Sequence, residues 1–201
     1  MNTQIEKEAR TMISEEQYLL LCSIETKKHP ELNYLEQTNY YFDNHDFILT
    51  NNHRVVRIRN VDSRYELTYK AKDIGGDLEI NQGLSPNQAK KHIEKGSLPL
   101  GDIYNKILSY NVNPSSLFVI TSLFTKRLEV DYGDYLLVID VNKYGDVIDY
   151  NLEIESKISL EHANEVLKRY CKQYQLSYTE DYLVKSARAI NLAKKKYNIK
   201  L

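Results

Sequence analysis

Charge and apolarity alternate residue by residue along several stretches of this chain, and that period of two limits the fold more than any other feature. In Arg57-Ile58-Arg59 the isoleucine must point away from both arginines. Tyr65, Leu67, Tyr69 and Ala71 oppose Glu66, Thr68, Lys70 and Lys72, while Leu152 and Ile154 oppose Glu153 and Glu155. Thr125, Arg127 and Glu129 likewise oppose Phe124, Lys126, Leu128 and Val130. Successive side chains of a β-strand face opposite ways, so each stretch reads as a strand with one charged face. By the same rule Glu6, Glu8 and Arg10 share a face near the N-terminus.

Turn signals divide the chain into strands at 3–13, 36–43, 54–61, 64–72, 77–83, 117–131, 135–142 and 147–155. Asn51-Asn52, Asp62-Ser63, Gly75-Gly76, Asp131-Tyr132-Gly133-Asp134 and Tyr144-Gly145-Asp146 supply the turns. Helices are predicted at 15–28, 85–96, 100–110, 159–175 and 181–197. Ser14 with Glu16 and Gln17 opens the first, and His29-Pro30 stops it. The fold class is therefore α+β. Strands joined mostly as antiparallel hairpins favour a closed or nearly closed eight-stranded antiparallel β-barrel with flanking helices, because closure removes exposed edges. No repeat, low-complexity tract or linker marks a second domain, so residues 1–201 read as one domain with a core at about 4–190.

Two arrangements satisfy the alternation. In one, the apolar face is buried and the charged face meets water. In the other, helices cover the apolar face and the charged face lines a tunnel. The second requires buried charges to be paired or to bind ions. A candidate inward set, Glu6, Glu8, Asp140, Glu153 and Glu155 against Arg10, Arg57, Arg59, Lys70, Arg127 and Lys185, nearly balances itself. Its carboxylates suit Mg²⁺ or Mn²⁺, and its arginines suit phosphate.

Composition narrows the partners. Lys and Arg total 27 against 28 Asp and Glu, a net charge of −1, so there is no global pull toward nucleic acid or acidic lipid. No run approaches the roughly 18 apolar residues of a membrane span, and no apolar segment follows Met1, so a cytoplasmic protein is expected. Cys22 and Cys171 lie far apart without metal-ligand spacing and read as reduced, buried or half-buried thiols. His45, His53 and the other histidines also lack ligand spacing. The Lys194-Lys195-Lys196 run reads as a solvated helix face.

The order of these stretches resembles the CYTH-domain, or triphosphate tunnel metalloenzyme, superfamily. Its first-strand signature Glu-x-Glu-x-Lys stands here as Glu6-Lys7-Glu8-Ala9-Arg10. Tyr40-Tyr41-Phe42-Asp43, Arg57-Ile58-Arg59, Leu67-Thr68-Tyr69-Lys70, Arg127, Asp140, Leu152-Glu153-Ile154-Glu155 and Lys185-Ser186-Ala187-Arg188 follow in the family's order. The chain looks most like small, stand-alone bacterial members of the YjbK-like group. The resemblance implies a divalent-metal-dependent triphosphatase that cleaves the terminal phosphate of inorganic triphosphate or a related substrate inside a charged barrel. It implies one or two Mg²⁺ or Mn²⁺ ions on Glu6, Glu8, Asp140, Glu153 and Glu155. Phosphate oxygens would fall to Arg10, Arg57, Arg59, Lys70, Arg127 and Lys185. The catalytic group would be Glu6, Glu8, Glu153, Glu155 and Arg10.

Other activities on the same scaffold are a class IV-type adenylate cyclase, a thiamine triphosphatase and a non-catalytic triphosphate- or polyphosphate-binding module. The absence of tryptophan disfavours the thiamine substrate, which such members can stack on that side chain. Expected partners are a small triphosphate and neither nucleic acid nor membrane, with the chain a monomer or homodimer. Arg10 departs from the signature lysine and brings no titratable amine. Lys72 and Glu79 stand beside the assigned set without a settled role, and Glu66 reads as an inner salt-bridge partner for Lys70.

Overall fold

In a computed structural model of the chain, described residues are 7–73, 76–179 and 183–197, with the side chains of 72, 73, 76 and 77 left aside. The strands are β1 (Glu8–Ile13), β2 (Leu35–Asp43), β3 (Arg54–Val61), β4 (Arg64–Asp73), β5 (Gly76–Leu84), β6 (Phe118–Asp131), β7 (Tyr135–Tyr144) and β8 (Val147–Ser156). The helices are α1 (Glu15–Lys28), α2 (Ile48–Asn51), α3 (Pro86–Lys95), α4 (Asp102–Leu108), α5 (Leu160–Tyr174) and α6 (Lys185–Lys196).

The strands form an eight-stranded sheet in the order β1-β8-β7-β6-β2-β3-β4-β5. The pairs β1–β8, β7–β8, β2–β3, β3–β4 and β4–β5 are antiparallel. The sequence reading expects closure; among the described residues the pairing order runs from β1 to β5. The fold class and the antiparallel hairpins are as the alternation implied.

The chain gathers into two compact units. One holds Gln37–Phe124 and the segment from Lys185; the other holds the segment up to Glu36 and Thr125–Val184. Strand β6 contributes to both. Each unit buries its own apolar strand face under helices. In the first, Val56, Ile58, Leu67 and Tyr69 pack with Ala89 of α3 and Ile103 and Ile107 of α4. In the second, Ala9, Leu128, Ile139, Leu152 and Ile154 pack with Leu21 of α1 and Val166 and Leu167 of α5. Burial of each such Val, Leu or Ile side chain contributes roughly 1.5–3 kcal/mol. The helices thus cover the apolar faces, as the tunnel arrangement required.

Local signals account for most element ends. Ser14 and Gln17 form a reciprocal capping box on α1, and Ser85 with Gln88 does the same on α3. Helix α3 ends at Gly96, whose φ of 59° is the left-handed conformation glycine tolerates. Its missing side chain also matters, since a Cβ there would meet Phe118 Cβ at 3.1 Å. Two short elements escaped the sequence pattern: α2 and a 3-10 turn at Pro114–Ser116. The reason for α2 is Asp43. Its fully buried carboxylate accepts the Leu49 and Thr50 backbone N–H groups at 3.0 and 2.9 Å and the Thr50 hydroxyl at 2.7 Å. A side chain five residues upstream therefore caps a helix too short to show a period.

Candidate active site

In the second unit β1 pairs with β8 so that Glu8 stands opposite Glu155 and Arg10 opposite Glu153. That register aligns the two Glu-x-Glu strands face to face, because charged positions on both follow the same period. One oxygen from each of Glu8, Glu153 and Glu155 lies within 4.8 Å of the others. Three carboxylates that close repel one another unless cations intervene. Two guanidiniums do so.

Arg10 donates from Nε to Glu8 Oε1 at 2.9 Å and places Nη2 2.8 Å from the same atom. Arg127 on β6 is the larger organiser. It grips Asp140 of β7 with Nε to Oδ1 at 2.8 Å and Nη2 to Oδ2 at 3.0 Å. It also donates from Nη2 to Glu153 Oε2 at 3.1 Å and from Nη1 to Glu155 Oε1 at 3.5 Å, with Glu129 Oε2 3.8 Å from Nη1. Burial opposes the charged guanidinium, but Asp140, then Glu153 and Glu155, outweigh it and hold the Arg127 pKa above its ordinary value. Asp140 is fully buried and Glu153 2% exposed; a charged face turned to water would not look like this.

The same face continues two residues further along each strand, as Thr125, Asn142 and Asn151, all buried. The Thr125 hydroxyl donates to Asn142 Oδ1 at 2.8 Å, and Asn142 Nδ2 donates to Asn151 Oδ1 at 2.6 Å and Asp149 Oδ1 at 3.0 Å. The sequence reading missed this amide layer. Stepping by two from Arg127, Asp140 and Glu153 would have found it.

In the first unit the charged face runs in cross-strand rows. Tyr41, Arg57, Thr68 and Asn81 form one row, and Asn39, Arg59 and Glu66 the next. Lys70 stands opposite Glu79, with Nζ to Oε2 at 3.0 Å, and Asn81 Nδ2 donates to Glu79 Oε1 at 3.0 Å. Burial would raise the Glu79 pKa, but Asn81 and Lys70 more than offset it and hold the carboxyl below its usual value. Burial also pushes the Tyr41 phenol up, opposed by Arg57 and Arg59 beside it. The Arg57 Nε and Thr68 Oγ1 atoms are buried without a hydrogen-bond partner among the described residues. Arg59 Nε reaches Asn39 Oδ1 at 3.4 Å.

The sequence-predicted residues thus fall into two groups. Glu8, Arg10, Arg127, Asp140, Glu153 and Glu155 meet in the second unit. Arg57, Arg59 and Lys70 share a strand face in the first, joined there by Glu66 and Glu79. Lys185 is half-buried at the start of α6, on a helix rather than in the sheet. Glu6 and the Lys72 side chain lie outside the described residues. Cys22 and Cys171 are buried, and burial pushes both thiols up. No helix among the described residues is long and apolar enough to cross a membrane.

The CYTH domain profile matches residues 4–181. The chain belongs to the CYTH family. A Bacillus subtilis (strain 168) CYTH relative, the candidate triphosphatase YjbK, is 26% identical over 180 residues, which cover 90% of this chain and 92% of that protein. A crystal structure of a candidate adenylate cyclase from Bacillus halodurans is 30% identical, with a TM-score of 0.77 over 94% of this chain and 98% of that one. A Hippeastrum protein described as a candidate adenylyl cyclase with dominant triphosphatase activity is 17% identical. It superposes with a TM-score of 0.75 over 96% of each chain, a likeness of fold. The CYTH assignment and the YjbK-like resemblance therefore stand as the sequence indicated.

Proposed function

We propose that this CYTH protein is a divalent-metal-dependent triphosphatase acting on inorganic triphosphate or a similar short triphosphate. The observation that carries the reading is the Glu8–Glu153–Glu155 cluster, three converging carboxylates of which Glu153 is buried and Glu8 and Glu155 half-buried. Its donors are all carboxylate oxygens, the set that hard cations such as Mg²⁺ or Mn²⁺ take, so the residues fit the ion the family implies. Glu6 stays in the proposed metal-binding set, and Asp140 belongs to the same acidic face beside Arg127. The ion, when bound, would screen phosphate charge and lower the pKa of a bound water.

The remaining chemistry falls to the chain. Arg57, Arg59 and Lys70 donate to phosphate oxygens, and the Arg57 Nε, without a hydrogen-bond partner among the described residues, favours an acceptor arriving there. Arg10, Arg127 and Lys185 complete the proposed cationic set. Fixed guanidiniums stabilise charge on the departing phosphoryl group without reorganising. A guanidinium at position 10 offers a planar fork for phosphate oxygens, so Arg10 binds and orients rather than moving a proton. Closure of the strands into a barrel and a cytoplasmic setting belong to the same reading.

The deciding experiment measures phosphate release from tripolyphosphate, ATP and thiamine triphosphate with Mg²⁺ or Mn²⁺, alongside cyclic AMP formation from ATP. Metal-dependent release, fastest from tripolyphosphate, is expected. Cyclic AMP as the main product would replace the reading with a cyclase. Tight tripolyphosphate binding without turnover under either metal would leave a binding module.

A further inference from the structure

We propose that Asp140 is a positioning residue: it anchors Arg127, Arg127 steadies Glu153 and Glu155 for a divalent cation, and Asp140 stays on Arg127 when the cation binds. This rests on the reading of Glu8, Glu153 and Glu155 as cation ligands. It departs from the family-based expectation that Asp140 ligates the metal itself.

The geometry separates strong contacts from weak ones. Arg127 meets both Asp140 oxygens through two different nitrogens, at 2.8 and 3.0 Å. Such a planar fork is the strongest arrangement the two groups can make. Its acid is fully buried and its base 14% exposed, so parting them breaks a charge pair away from water, which is costly. The bonds to Glu153 and Glu155 are single and longer, 3.1 and 3.5 Å, and Glu155 is 39% exposed. An incoming cation therefore displaces these two contacts before the fork. Among the described residues the converging oxygens come from Glu8, Glu153 and Glu155, without Asp140.

A consequence is coupling. Once Glu153 and Glu155 turn to the cation, one N–H on each Arg127 Nη is released toward another acceptor. A phosphate oxygen is the natural one, so cation and anion binding support each other.

The test uses the intact protein and needs no turnover. Mg²⁺ affinity is measured by calorimetry for the unaltered chain, Glu153→Gln and Asp140→Asn. The Arg127 Nε–H resonance, assigned through its own side-chain carbons, is followed by NMR as Mg²⁺ is added. Glu153→Gln should lose about 100-fold or more in affinity, and Asp140→Asn about tenfold, the range for residues that orient ligands. The Nε–H should keep its shift and slow exchange at saturating Mg²⁺. Loss of that protection on adding Mg²⁺ would mean that Asp140 has left Arg127, overturning the proposal. Unchanged Mg²⁺ affinity in a folded Asp140→Asn protein would overturn it too. If that variant does not fold, the resonance in the unaltered chain decides alone. Absence of Mg²⁺ binding, or equal binding by Glu153→Gln, would instead remove the cation-ligand reading, and this inference with it.

Discussion

On the face of β1, β6, β7 and β8, carboxylates among the described residues outnumber the guanidiniums of Arg10 and Arg127, and both guanidiniums are committed to carboxylates at 2.8–3.5 Å. On the face of β3, β4 and β5, Arg57, Arg59 and Lys70 outnumber Glu66 and Glu79, and Arg57 keeps a buried nitrogen without a hydrogen-bond partner among the described residues. One alternation of apolar and charged residues builds both faces, yet one accumulates acid and the other base. The difference teaches that period two decides only that a charged face exists. Residue identity at each second position decides whether it attracts a cation or an anion.

The sharpest way to break this comparison is Glu153→Gln, which keeps side-chain shape and removes a central carboxylate charge. Metal-dependent phosphate release should fall by about 10³-fold, on the scale of losing a group that supports transition-state charge, while circular dichroism stays native. Unchanged kinetics would mean that the acidic face is structural only.

Arg57→Ala probes the opposite face. It should lower kcat/KM for tripolyphosphate by about 100-fold, near the value of a charge-assisted contact, and leave Mg²⁺ affinity within about twofold. An altered Mg²⁺ affinity with normal kcat/KM would show that the two faces do not divide the work by charge.

Tyr132→Phe tests a charge outside both faces. Its hydroxyl donates to Glu25 Oε2 at 2.6 Å, and Glu25 is fully buried with Lys28 at 3.0 Å. Losing that donor should cost about 1–3 kcal/mol in urea unfolding without changing kcat/KM. Reduced turnover in a protein of undiminished stability would put Tyr132 in the functional machinery.

The smallest effect is expected for Glu79→Gln. The Glu79 carboxyl is held below its ordinary value in the folded state, so its stabilisation is complete above the ordinary Glu range. It is lost as pH falls through the lowered folded value. The variant should therefore differ little from the unaltered chain in strong acid and lose under about 1 kcal/mol near neutrality. A larger deficit in acid than at pH 7 would contradict the Lys70–Glu79 pairing.

Much of the fold was legible because its signals are local. Capping at Ser14 and Ser85 and alternation in 54–61 and 64–72 each occupy a few adjacent residues, and β3 and α1 match their predicted bounds. Helix α2 was not legible, since its cap comes from Asp43 across a loop. Closure was inferred from the aversion of sheets to free edges, a general tendency that names no partner strand. For the site, the individual charged residues were readable, and the amide layer at Thr125, Asn142 and Asn151 was overlooked only because neutral residues do not stand out.

The sequence by itself determined which side chains share a strand face, which helices start where, and that this is a CYTH chain. Those properties follow from spacing and from motif order. Only the tertiary structure decided that Glu8 faces Glu155, that Arg10 faces Glu153, and that Arg127 forks onto Asp140 while reaching Glu153 and Glu155. Register between strands far apart in sequence is fixed by burying both apolar faces at once. The ionic partners, and the pKa direction that Arg127 takes from them, exist only after that register is set.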